Sequence, residues 1–158
     1  MVSFKVQGTP VRLIRIKISN SKGKGNACYD DETTEYIERI RQSAIASLNG
    51  SDILKGPLAM IVDCTYPIPD SWPSHRRQAA LHGAWHTVHE NMDGLCEVVA
   101  YALKGVVYDD SSQISVIVGA KKYGAEGETM VSVYEMNCIA NPRWLISNLK
   151  MAVEAGTL

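Results

Sequence analysis

ENMDGLCEVVAYALKGVVYDDSSQISVIV, residues Glu90 to Val118, reads as an acidic turn, a short apolar helix, a glycine-led turn holding a second acidic cluster, and a strand. It carries five carboxylates, Glu90, Asp93, Glu97, Asp109 and Asp110, at two turns that one helix can bring face to face. Divalent-metal sites are assembled in this way, from oxygen ligands on the ends of rigid elements. Acids also gather at helix starts and turns as caps and Asx-turns. Spacing alone leaves both uses open.

Outward from that stretch, the chain of 158 residues has 46% hydrophobic and 21% charged residues, enough for one globular domain with a sizeable core. A net charge of -1 excludes a global basic field, so any nucleic-acid surface has to be a local patch. There is no signal-peptide pattern and no apolar run long enough to span a bilayer, and the expected location is the cytoplasm. Cys28, Cys64, Cys96 and Cys138 form no CxxC pair and read as buried thiols.

Towards the N-terminus, SFKVQG (Ser3 to Gly8) and VRLIRIKIS (Val11 to Ser19) read as strands, the second with Arg12, Arg15 and Lys17 along it. Those cations suit either a solvated edge strand or a stripe of phosphate contacts. Asn20 to Asp31 reads as a loop, Asp31 to Leu48 as an amphipathic helix ended by Asn49-Gly50, and Leu58 to Pro69 as a strand. Asp70 or Ser71 is expected to cap a short helix with His75, Arg76 and Arg77 beside Trp72. That cluster suits a nucleic-acid backbone or plain Arg-on-Trp packing. His82, His86 and His89 have helical spacing for zinc, but Glu90 alone completes the set, which argues against it. Beyond the central stretch, Ile114 to Gly124, ending in Lys121, Lys122 and Tyr123, is expected to form a hairpin with Gly127 to Asn137. Asn141-Pro142 opens a last helix, over about 142–155. The element order predicts one α+β domain, a mixed β-sheet with packed helices, across residues 1–158.

VQGTPVRLIRIK, YPIPDSWPSHRRQAAL, ENMDGLCEVVAYALKGVVYDDSSQI and AKKYG occur in the order and at the spacing of one family's signatures. Over about residues 4–135 the chain resembles the RusA-type crossover-junction endodeoxyribonucleases, the small Holliday-junction resolvases of bacteria, prophages and phages. The resemblance implies a RusA-like fold, a homodimer, four-way DNA junctions as ligand, and symmetric cleavage with Mg²⁺ (or Mn²⁺) held by aspartates. It places catalytic roles at Asn91, Asp93 and the Asp109–Asp110 turn; the chain's own acids add Glu97 to the catalytic candidates and make Asp93, Asp110, Glu97 and Glu90 the candidate metal ligands. Arg12, Arg15, Lys17, Arg76, Arg77, Lys121 and Lys122 are then the DNA contacts, and Arg12, Arg15, Arg76, Arg77, Lys121 and Lys122 are expected to gather on one basic face.

The chain departs from the family pattern, Pro-Asp-Leu-Asp-Asn-Leu-x-Lys and then Asp-Asp-Ser-Gln-Ile, at several of these positions. Asn91 stands at the first aspartate, Gly94 at the asparagine, Glu97 at the lysine and, without a gap, Ser111 at the second residue of the Asp-Asp pair. A one-residue bulge would supply Asp109 and Asp110 instead. Glu97 lies one helical turn from Asp93, so the pair can serve a rearranged metal site. Two expectations follow: a Mg²⁺-dependent, structure-specific endonuclease with a rearranged acid set, or a pseudo-nuclease that keeps the fold as a DNA-binding, regulatory or protein-interaction factor.

Overall fold

A computed structural model describes residues 1–17, 27–83 and 90–136, together with Ser147, Lys150, Met151 and Glu154; the side chains of residues 15–17, 27 and 28 are outside this set. Six strands and three helices of at least eight residues follow one another in the described chain: β1 (Val2–Gln7), β2 (Arg15–Lys17), β3 (Ala27–Tyr29), α1 (Asp31–Leu48), β4 (Leu58–Pro67), α2 (Ser74–Leu81), α3 (Met92–Leu103), β5 (Ile114–Gly124) and β6 (Glu128–Glu135). The main sheet has the order β1-β6-β4-β5, and β2 and β3 form a separate antiparallel pair. This is the expected α+β arrangement with a mixed sheet: β4 runs parallel to β5 and antiparallel to β6.

β4 takes an interior place, with Leu58, Met60, Val62, Cys64 and Tyr66 buried along one face and hydrogen-bonded neighbours on both edges. That overturns the expected hairpin. β6 does not pair with β5; it crosses to the far side of β4 and pairs there and with β1. α1 and α3 cover the same sheet face. Tyr36, Ile37, Ile40 and Ala44 of α1 meet Leu95, Val98, Val99, Ala102 and Leu103 of α3 in one core with Val2, Phe4, Val6, Val131 and Val133. The Tyr36 hydroxyl lies 2.6 Å from Thr129 Oγ1, so neither buried hydroxyl lacks a partner. Cys64 and Cys96 are free and buried, as the composition implied, and burial pushes the Cys64 thiol up to about 12. The opposite sheet face leaves Ile61, Met130 and Tyr134 exposed.

Local chemistry explains the boundaries. Asp30 caps α1 by accepting from Thr33 N at 2.8 Å, and Asn49 (φ 47°) ends it in the left-handed region. Ile45 of α1 is exposed. Within the described part of the long second strand expected from Val11 to Ser19, only Arg15–Lys17 pairs. Leu13 N instead donates to Gly94 O at 3.3 Å, which draws the preceding segment onto the start of α3. β3 falls where a loop was expected, because three residues beside Gly and Asn carry too little pattern to register as a strand. α2 starts at Ser74 after Pro73, with no side-chain cap, rather than from Asp70 or Ser71. In the expected C-terminal helix, Ser147, Lys150, Met151 and Glu154 are helical, and its other residues lie outside those described. Among the described residues no helix is long and apolar enough to cross a membrane.

Candidate active site

α3 begins after Asn91, an exposed residue in extended conformation whose side chain makes no capping bond. Helical spacing then sets Asp93 and Glu97 one turn apart on the same face. Against that face lies an opening of about 520 Å³ lined by Asp93, Glu97 and Ser111 together with Met92, Cys96, Ala100, Ile114, Ile117 and Gly119. Gly119 belongs to the floor for a steric reason: a Cβ there would sit 2.9 Å from Met92 Cγ and 3.0 Å from Cys96 Sγ. Burial raises the Cys96 thiol above its ordinary pKa, and the Asp93 carboxylate beside it adds to the effect. Asp93 meets no cation among the described residues.

The remaining carboxylates of the stretch go elsewhere. Asp109 pairs with Lys55 at 2.7 Å, and Asp110 pairs with Lys104 at 2.5 Å. Asp110 also caps a single 3₁₀ turn, Ser111–Gln113, accepting from Ser112 N at 3.0 Å, while the Gln113 side chain accepts from the backbone N–H of Asp109 and Asp110. Lys104 first, and then Ser112, hold the Asp110 carboxyl well below the ordinary carboxylate range. Of that turn, Ser111 is the residue that lines the opening. Glu90 lies at the entrance to α3, where Arg12 Nε approaches Glu90 Oε2 at 3.2 Å without hydrogen-bond geometry, leaving that buried oxygen with charge attraction alone. Lys121 Nζ donates to the Glu90 carbonyl. The five carboxylates are thus divided among three places, and no group of three or more His, Cys, Asp or Glu among the described residues is arranged to hold a metal ion. His82 is exposed with Nδ1 2.7 Å from Gln78 O, and His86 and His89 lie outside the described residues.

The cations expected to face DNA divide as well. Lys121 and Lys122 are adjacent on β5 and turn to opposite sheet faces, Lys121 towards Glu90 and Lys122 to Asp63 at 2.7 Å. Arg77 pairs with Asp70 at 3.2 Å. Arg76 instead lies over the Trp72 ring, 3.7 Å from its centroid, and Trp72 meets Tyr123 edge-on at 5.0 Å. The side chains of Arg15 and Lys17 lie outside those described. Lys55 and Lys104 were not among the expected site residues. Lys104 was open to notice, since it lies six positions before Asp110 within the same acidic stretch; Lys55 reaches Asp109 across the fold and left no local signal.

Comparison with known proteins matches the family model of endodeoxyribonuclease RusA to residues 7–134. No curated protein matches the chain.

Proposed function

The chain belongs to the RusA endodeoxyribonuclease family, and on that premise we propose that it binds four-way DNA junctions as a homodimer of single RusA-like domains and cuts them with a divalent metal at Asp93 and Glu97. The observation that carries this reading is the shared opening of Asp93, Glu97 and Ser111. Their oxygens suit Mg²⁺, which takes one or two carboxylates and leaves its other positions to water and substrate phosphate. Mn²⁺ accepts the same hard donors. When bound, such an ion offsets phosphate charge and lowers the pKa of a coordinated water.

The chain's own residues do the positioning. The first turns of α3 fix the two carboxylates on a packed helix, whose buried Leu95, Val98 and Val99 hold it against the sheet. Ile114, Ile117 and Gly119 of β5 form the apolar side of the opening across from the two carboxylates. Arg12, paired with Glu90 beside the helix start, is close enough in the fold to meet a phosphate that approaches Asp93. A junction has two-fold symmetry, and paired incisions need two sites related by the same axis.

A second reading has its own support: Lys55 and Lys104 already neutralise Asp109 and Asp110, as expected of a pseudo-nuclease that binds branched DNA without cutting it. Incubating the protein with an immobile four-way junction and Mg²⁺ or Mn²⁺ decides between them. Paired nicks are the expected result. A junction bound but intact with either metal favours the second reading, and no binding at low salt removes both. Sedimentation at micromolar concentration is expected to give a dimer, and a monomer would overturn that part.

A further inference from the structure

Of the expected DNA-contacting cations whose side chains are described, Arg12, Arg77, Lys121 and Lys122 each meet a carboxylate or a backbone carbonyl. Arg76 meets neither among the described residues; it is exposed, and its guanidinium lies on Trp72. The stack rests on a fixed support. Trp72 sits edge-on to Tyr123 of β5, and the loop carrying it is fastened by Ile68 N to Gly124 O at 3.1 Å, Trp72 N to Pro69 O at 3.1 Å and the Arg77–Asp70 pair. Strand alternation puts Ile117, Gly119, Lys121 and Tyr123 on one side of β5, so the stack lies in line with the acidic opening. At about 3.3 Å per residue, Gly119 and Tyr123 are about 13 Å apart, roughly four stacked base steps.

We propose that Arg76 and Trp72 form a stacking platform for a nucleobase unstacked beside the branch point, a few nucleotides from the phosphate that faces the Asp93–Glu97 opening. This rests on the branched-DNA reading above. A guanidinium plane presents a flat, weakly hydrated surface with a positive charge, which stacks on a base and attracts the adjoining phosphate. Because the platform is built before DNA arrives, little ordering cost is left for binding. Base stacking tolerates sequence, so the platform distinguishes branched or single-stranded DNA from intact duplex and not one base from another.

The test is an abasic scan of an immobile four-way junction, with affinities measured at fixed salt without divalent metal for the full chain, Arg76→Lys, Trp72→Ala and Trp72→Phe. For the full chain, one abasic position near the branch is expected to weaken binding about tenfold, within the range of a single base stack. Arg76→Lys keeps the charge but loses the plane, and Trp72→Ala loses the support. Both are expected to bind the intact junction about tenfold more weakly and to respond to no abasic position, while Trp72→Phe retains the response. Thermal melts of each variant separate this from unfolding, and the exposed Arg76→Lys change is the decisive one. A flat scan for a full chain that binds junctions overturns the platform and leaves the DNA reading intact. Arg76→Lys binding and scanning like the full chain also overturns it, reducing Arg76 to a point charge. No junction binding by the full chain overturns both.

Discussion

Asp93 and Asp110 lie in one short stretch, both near a helix end and both exposed, yet they have opposite surroundings. Asp93 faces an opening it shares with Glu97 and Ser111. Asp110 is occupied twice, by Lys104 and by the backbone of the turn it caps. The difference is one of neighbours rather than residue type. A carboxylate whose lone pairs are already taken by N–H groups and an ammonium gains little from a metal, since those partners must first be given up. Acid density therefore marks where a metal site can be built, and the donors around each acid decide which of them are available to it.

Exchanging one acid at a time is the strongest way to break this contrast. Asp93→Asn is expected to reduce junction cleavage about 100-fold or more, the scale of losing a group that stabilises charge at the reacting centre. Asp109→Asn is expected to stay within about fivefold, because an exposed ion pair is worth at most about 1 kcal/mol. Gel assays of the two variants side by side check this, and equal losses would erase the distinction. The contrast is sharpened from the other side by Ser111→Asp, which adds a third carboxylate to the opening. Mn²⁺ affinity, read by titration calorimetry, is expected to rise on the order of tenfold as the ligand charge count grows.

The floor of the opening supports a smaller prediction. Gly119→Val forces Met92 and Cys96 aside and is expected to cost about 1–3 kcal/mol in urea unfolding, with cleavage falling as Asp93 is displaced. The smallest effect belongs to Asp110. Its folded pKa lies below the ordinary 3.8, so the Lys104 pair stabilises fully above that pH and loses its contribution as pH falls below it. Lys104→Ala should therefore melt slightly below the parent at neutral pH, with the gap closing in acid. A gap that widens in acid would give the pair the wrong sign.

Long periodic segments were legible in the sequence. α1 ends where its 3.6-residue pattern meets Asn49-Gly50, and β5 spans the run Ile114–Gly124. Partnership was less legible than existence. The tight Gly124–Gly127 connection suggested a hairpin, but the most buried strand, β4, took the place between, a competition no local window contains. Within the candidate site, helical spacing paired Asp93 with Glu97. It could not assign Asp109 to Lys55, 54 positions away, nor foresee that adjacent Lys121 and Lys122 would serve different partners across the sheet. Arg76 on Trp72 was one of two open uses of a basic-aromatic cluster, and their order in sequence does not fix the stack.

The pairing of β1 with β6 also sets a timetable. Ser3 meets Ser132 across 129 positions, so β1 has to wait for nearly the last strand described. At about 5–20 residues per second, that wait on the ribosome is roughly 6 to 26 s. During it Val2, Phe4 and Val6 have no sheet to join, and the β4 edge that will receive β6 is open. The nascent chain therefore presents an apolar, unpaired strand for far longer than the closing of a hairpin takes, which makes it a client for whatever shields such segments during synthesis.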